Sequence, residues 1–159
     1  HLDSSRLSRE GRSMKIKSLG HVVLRVTDLA RAERFYGGVL GLPVCAHMDE
    51  GGFKMAFFSL GNHHDFALMQ VSGEGSSHSE SAVGLHHVAF NIGTTLDELR
   101  AAKARLDAAG VATTPIDHEV TKSLYLADPD GNGVEVYVDV SDAWRRDPGR
   151  VAQVKPLDL

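Results

Sequence analysis

His21, His87 and Glu135 each stand at the head of, or inside, a run patterned as a β-strand, and together they form a two-histidine, one-carboxylate set suited to a metal ion. His21 opens His21-Val22-Val23-Leu24-Arg25-Val26, and His87 opens His87-Val88-Ala89-Phe90-Asn91-Ile92. Glu135 lies within Val134-Glu135-Val136-Tyr137-Val138, just after the turn Asp128-Pro129-Asp130-Gly131-Asn132-Gly133. Two neutral imidazoles and one carboxylate on one face of an iron ion leave the other positions open for substrate and dioxygen. A lone strand histidine is more often a core or surface residue, and an outward-facing glutamate is equally ordinary. A carboxylate pointing into a barrel, however, is costly unless paired or metal-bound.

The elements that must position these residues come as an internal repeat. Residues 17–26 alternate as a strand, and Thr27-Asp28 offers an N-cap for a helix from about Leu29 to Leu40. Leu29, Ala32, Phe35, Tyr36, Val39 and Leu40 share one face of it, with Gly41 as C-cap and Pro43 beyond. Strands are expected near 43–48, 53–60 and 65–71, before a polar, glycine-rich loop over 72–81. The order then restarts with a strand over 85–92 and a helix from the capping box at Thr95-Leu96-Asp97-Glu98 to Gly110. Strands near 111–117, 122–127 and 133–139 complete it.

Shifting the first half by 66 to 68 positions lays His21 on His87, Phe57 on Tyr125 and Ala67 on Glu135. The equivalence of His21 and His87 raises both above the ordinary strand histidine. His86 and His87 should face opposite sides of their strand, and His87 is the one that matches His21. Ala67 at the Glu135 position means that the first unit supplies one ligand, not two. The fold class expected is α+β: two βαβββ units, about 17–71 and 85–139, forming one curved-sheet domain over 14–140. Residues 141–159 form a C-terminal extension.

The 159 residues suffice for one domain with a sizeable core, and 42% hydrophobic with 24% charged residues is ordinary for a globular protein. A net charge of −4 offers no footprint for nucleic acid or an anionic membrane. No apolar run approaches the roughly 18 residues that span a bilayer. The single cysteine, Cys45, allows no internal disulfide, in keeping with a cytoplasmic protein, and its apolar surroundings suggest a packed thiol. Residues 1–13 lack apolar periodicity and are expected to be an added leader ahead of a native start at Met14.

Gly20-His21-Val22, Phe35-Tyr36-Gly37-Gly38-Val39-Leu40-Gly41-Leu42 and Asp128-Pro129-Asp130-Gly131-Asn132 resemble the vicinal oxygen chelate superfamily, from Lys17 to about Asp139. That superfamily includes glyoxalase I, fosfomycin-resistance thiol transferases, bleomycin-binding proteins and type I extradiol dioxygenases. The resemblance implies a glyoxalase-like fold and a metal held by His21, His87 and Glu135. His64-Asp65-Phe66-Ala67-Leu68 with Leu85-His86-His87-Val88-Ala89-Phe90 is similar to the extradiol branch, as are Asp117-His118 and Lys122-Ser123-Leu124-Tyr125. This implies that His64 transfers protons and that His118 and Tyr125 contact substrate and oxygen, roles suited to an imidazole and a phenol. His63, its neighbour, should be exposed on the opposite strand face.

The activity so implied is extradiol cleavage of a catechol-like aromatic by dioxygen, with Fe(II), or alternatively Mn(II), as the metal. The chain carries two such units where familiar two-domain enzymes carry four. Relatives with two units imply a homodimer, as do exposed sheet edges. Competing readings are a glyoxalase-fold thiol transferase, an isomerase, and a non-catalytic protein that binds an aromatic compound or drug. Ala67 weighs against the isomerase, because it removes a fourth ligand.

Overall fold

The computed structural model describes residues 14–73 and 81–159, so the expected leader and most of the loop over 72–81 lie outside the described residues. From Val22 the alternation of β1 (Val22–Val26) sends Leu24 and Val26 into the core and leaves Val23 and Arg25 exposed. The regular strand is shorter than the sequence predicts, and His21 sits one residue before it. Asp28 caps α1 (Leu29–Glu33), its side chain accepting from the Arg31 N–H at 2.9 Å. A continuous helix to Leu40 does not form: Arg34–Val39 widens into a π-helical turn around Gly37-Gly38, residues that weaken an α-helix. That turn buries Phe35 and Tyr36, and the chain reverses at Gly41 with φ +80°.

Three antiparallel neighbours follow: β2 (Val44–Glu50), β3 (Phe53–Phe58) and β4 (Phe66–Gln70). With β1 they make a four-stranded sheet in the order β1-β4-β3-β2. The second half gives β5 (Val88–Gly93), α2 (Leu96–Ala108), β6 (Thr114–Asp117), β7 (Thr121–Ala127) and β8 (Gly133–Asp139). The capping box is present as expected, Thr95 and Glu98 satisfying each other's backbone N–H groups. This sheet runs β5-β8-β7-β6-β9, where β9 (Lys155–Pro156) comes from the C-terminal extension.

The registers agree with the repeat. Ala67 of β4 lies between Val23 and Phe57, and Glu135 of β8 lies between Ala89 and Tyr125, the positions that a shift of 66 to 68 relates. The expected class, α+β with two βαβββ units, is the one observed.

Each sheet turns its helix-covered face into one shared core. Leu24, Val26, Tyr36, Phe58 and Phe66 from the first unit cluster with Leu99, Leu106, Leu124, Val134 and Val138 from the second. Phe66 and Phe90 meet edge to face at 5.5 Å, and the Arg105 guanidinium on α2 donates to the carbonyls of Gly38 and Val39, each at 2.8 Å. The turn before β8 is clamped to the first unit. Asp128 accepts from the Tyr36 hydroxyl at 2.8 Å, from the backbone of Asp130 and Asn132, and from the Asn132 amide. Four donors make this buried carboxylate tolerable, while burial and then the Asp128 charge push the Tyr36 phenol far above its usual range.

The other face of each sheet is open. Val23, Arg25, Ala89 and Asn91 are all exposed, as is the whole of β2. Cys45 is therefore exposed rather than packed, because β2 is an edge strand with nothing across it. Among the described residues no helix is long and apolar enough to cross a membrane.

Candidate metal centre

Two of the three candidate ligands converge. Ala89 pairs in register with Glu135 across β5 and β8, which places His87 and Glu135 at the start of neighbouring parallel strands. His87 Nε2 lies 3.0 Å from Glu135 Oε2, close enough for both atoms to serve one ion at the ~2.0–2.2 Å typical of such bonds. Glu135 is only 7% exposed, and its other oxygen accepts a hydrogen bond from the Ser123 hydroxyl. A buried carboxylate held by neutral hydroxyls, Ser123 and the Tyr125 phenol of the facing strand, with its second oxygen aimed at an imidazole, is what a metal ligand requires.

The approach depends on Gly133. A Cβ there would sit 2.3 Å from the His86 carbonyl oxygen and 3.1 Å from His87 Cβ. Only glycine lets β8 start so close to the residues before β5.

Tyr125 stands opposite Glu135 on β7, with its ring 5.3 Å from that of His87. Burial, and after it the Glu135 charge, push the phenol up to about 12, so it stays protonated at neutral pH. Its hydroxyl is 2.9 Å from His118 Nε2. His118 belongs to the turn between β6 and β7 and reaches the site through Tyr125.

His21 and His64 form the other group. Their rings are 4.2 Å apart, and His64 Nδ1 lies 2.8 Å from His63 Nδ1. Burial, then the neighbouring His21 and His63, hold the His64 imidazole below its usual range. His63 is exposed as expected, yet it does not face away from His64; likewise His86 Nδ1 lies 2.7 Å from His87 Nδ1. Both pairs precede their strands, so strand alternation does not separate them. His21 shares the open face of the first sheet with Val23, whereas His87 and Glu135 share that of the second. Among the described residues, no group of three or more histidine, cysteine or acidic side chains within this chain is placed to hold a metal.

Beside Glu135 is a cleft of ≈ 370 Å³, lined by Ala89, Val120, Tyr137 and, from the C-terminal extension, Trp144 and Val151. The volume falls within the range of about 300 to 1,000 Å³ for small-ligand pockets. Sequence reasoning missed Ser123 and Gly133, and it left open whether the extension closes the cavity or meets a partner subunit. For Ser123 a signal existed: it alternates with Tyr125 on one strand and so shares its face.

The sequence model of the Glyoxalase/Bleomycin resistance protein/Dioxygenase superfamily matches residues 18–136. A catechol-2,3-dioxygenase of Bacillus subtilis is 33% identical over 131 residues, covering 81% of this chain and 44% of its own. Biphenyl-2,3-diol 1,2-dioxygenase 3 of Rhodococcus globerulus is 36% identical over 124 residues, covering 76% and 63% respectively. The chain thus spans about half to three fifths of these curated relatives. Other similar proteins are named lactoylglutathione lyase and glutathione transferase. Among solved structures, a glyoxylase/bleomycin resistance protein/dioxygenase domain from Frankia superposes with a TM-score of 0.67 at 23% identity, over 79% of this chain and 99% of that one. The fold, the repeat register and the extent of the match together place the chain in the glyoxalase/bleomycin resistance protein/dioxygenase superfamily.

Proposed function

We propose that the protein is an extradiol ring-cleaving dioxygenase that takes a catechol-like substrate and dioxygen, works in the cytoplasm, and uses Fe(II), with Mn(II) as the alternative. The observation that carries this reading is the His87–Glu135 pair, with Tyr125 against His87 and His118 bonded to Tyr125, at a cleft that Glu135 helps to line. The names of the two dioxygenase relatives support the substrate class. The donor set of two imidazoles and one carboxylate fits a divalent metal, with His21 as the third ligand. Such a metal, when bound, supplies the Lewis acidity that favours a deprotonated vicinal diol and the redox chemistry that dioxygen needs.

His21 completes the set only from another sheet. A twofold homodimer that apposes the open face of one copy's first sheet to the open face of the other's second sheet brings His21 and His64 to His87 and Glu135. The exposure of Val23 and Met48 on that first sheet supports such a contact. His64, neutral near pH 7, then takes a proton from the substrate hydroxyl at Nε2, since its Nδ1 is engaged with His63. Tyr125 retains its proton and orients a substrate oxygen.

Anaerobic loading with iron(II) followed by a panel of catechols tests the reading: catechol-dependent oxygen uptake and a yellow ring-fission product are expected. Absence of uptake across the panel, with iron bound, contradicts it. Consumption of fosfomycin with a thiol under manganese(II) would place the protein in the transferase branch instead.

A further inference from the structure

The C-terminal extension is fastened to the second sheet next to His118. Two 3₁₀ turns, Ala143–Arg145 and Pro148–Ala152, carry the chain to β9, which pairs with β6 at Ile116↔Pro156 and Asp117↔Lys155. Arg150 binds Glu119 at 2.6 Å, and Leu157 and Leu159 pack against the core. Glu119 follows His118 directly and holds a left-handed φ of +67°, its N–H donating to Asp117 Oδ1 at 2.7 Å. Such a conformation is uncommon for a residue with a side chain and needs its surroundings to hold it. The turn that carries His118 is thus gripped from both its own strands and the extension.

Between the two turned segments and β9, the Gln153 carbonyl oxygen lies 2.7 Å from His118 Nδ1. A carbonyl only accepts, so Nδ1 must carry a hydrogen. A neutral imidazole protonated at Nδ1 has a bare Nε2 that accepts from the Tyr125 hydroxyl 2.9 Å away, and the other acceptor beside that hydroxyl, the Glu135 carboxylate, likewise draws its proton away from substrate. With its one proton so directed, the Tyr125 oxygen meets a substrate hydroxyl as an acceptor. The opposite tautomer would lose the bond to the Gln153 carbonyl, reverse the bond to Tyr125 and free the Tyr125 proton to be donated within the site.

We propose that the extension is a working part of the site: the Gln153 carbonyl is a positioning group that fixes the His118 tautomer and thereby makes Tyr125 an acceptor for a substrate hydroxyl. The consequence for turnover rests on the dioxygenase reading; the tautomer does not.

Long-range ¹⁵N–¹H spectra of the intact chain with ¹⁵N-labelled histidine test it at a pH well above the ordinary imidazole value of about 6.5. His118 signals are identified by their loss in His118→Asn. A protonated Nδ1 and a bare Nε2 are expected; an Nε2–H tautomer overturns the proposal. Two glycines inserted after Ala152 displace the carbonyl, and His118 should then lose its preference for Nδ1–H. In that variant iron content should match the parent while kcat with catechol falls about 10- to 100-fold, as when an orienting partner is lost, and KM holds. A variant with unchanged tautomer and unchanged kcat overturns the proposal. If that variant fails to fold, the intact-chain spectrum decides alone. If the parent shows no oxygen uptake, the dioxygenase reading fails while the tautomer still judges this one.

Discussion

Single atoms divide the candidate centre into ligands, proton carriers and supports. His87→Ala removes a donor that sits 3.0 Å from Glu135, so iron binding and oxygen uptake should fall together. His64→Asn should keep its iron, because His64 is assigned to proton transfer, and lose about 10²- to 10⁴-fold in kcat. Elemental analysis alongside oxygen-electrode rates separates the two, and loss of iron from His64→Asn would make His64 a ligand. Ser123→Ala leaves the Glu135 carboxylate free to turn, and iron affinity should weaken about 10- to 100-fold by calorimetric titration. At this scale the sequence revealed the residues that could bind or titrate. Their supports were less legible: alternation with Tyr125 gives the face on which Ser123 lies, but not its hydrogen bond to Glu135 on the neighbouring strand.

Strand and helix placement explains why these atoms meet. β5 and β8 bring His87 to Glu135 only because Gly133 has no side chain, and the clash falls on the backbone of His86 rather than on a flexible group. Gly133→Ala should therefore part the two strands, lowering both the thermal midpoint and iron affinity. Gly38→Ala, with nothing within 4 Å of its Cβ, should leave iron affinity unchanged. Paired thermal melts and iron titrations compare the two, and equal behaviour would contradict the role given to Gly133. Alternating or apolar runs bounded by turn residues located every strand of the two units to within about five residues, and the capping box located α2. The π-turn over Arg34–Val39 escaped, since the same apolar spacing also suits an α-helix. β9 escaped because two residues, Lys155 and Pro156, are too few to show any period.

Across the whole molecule, the repeat fixed which residues are equivalent but not how the two sheets stack. Hydrophobic patterning marks which face of each strand is apolar; it does not say which other sheet lies across the open face. The structure stacks the helix-covered faces on one core and leaves His21 on one open face and His87 with Glu135 on the other. A centre made of all three thus implies two copies, each lending half. Mixed dimers test this directly. His21→Ala and Glu135→Ala chains should each be devoid of bound iron and oxygen uptake as homodimers. Co-assembled, they should recover roughly a quarter of the parent's iron and catechol-dependent oxygen uptake. Random pairing makes half the dimers mixed, and each mixed dimer has one intact site of two. Mixed dimers that form, yet recover neither iron nor oxygen uptake, would contradict a centre shared between copies.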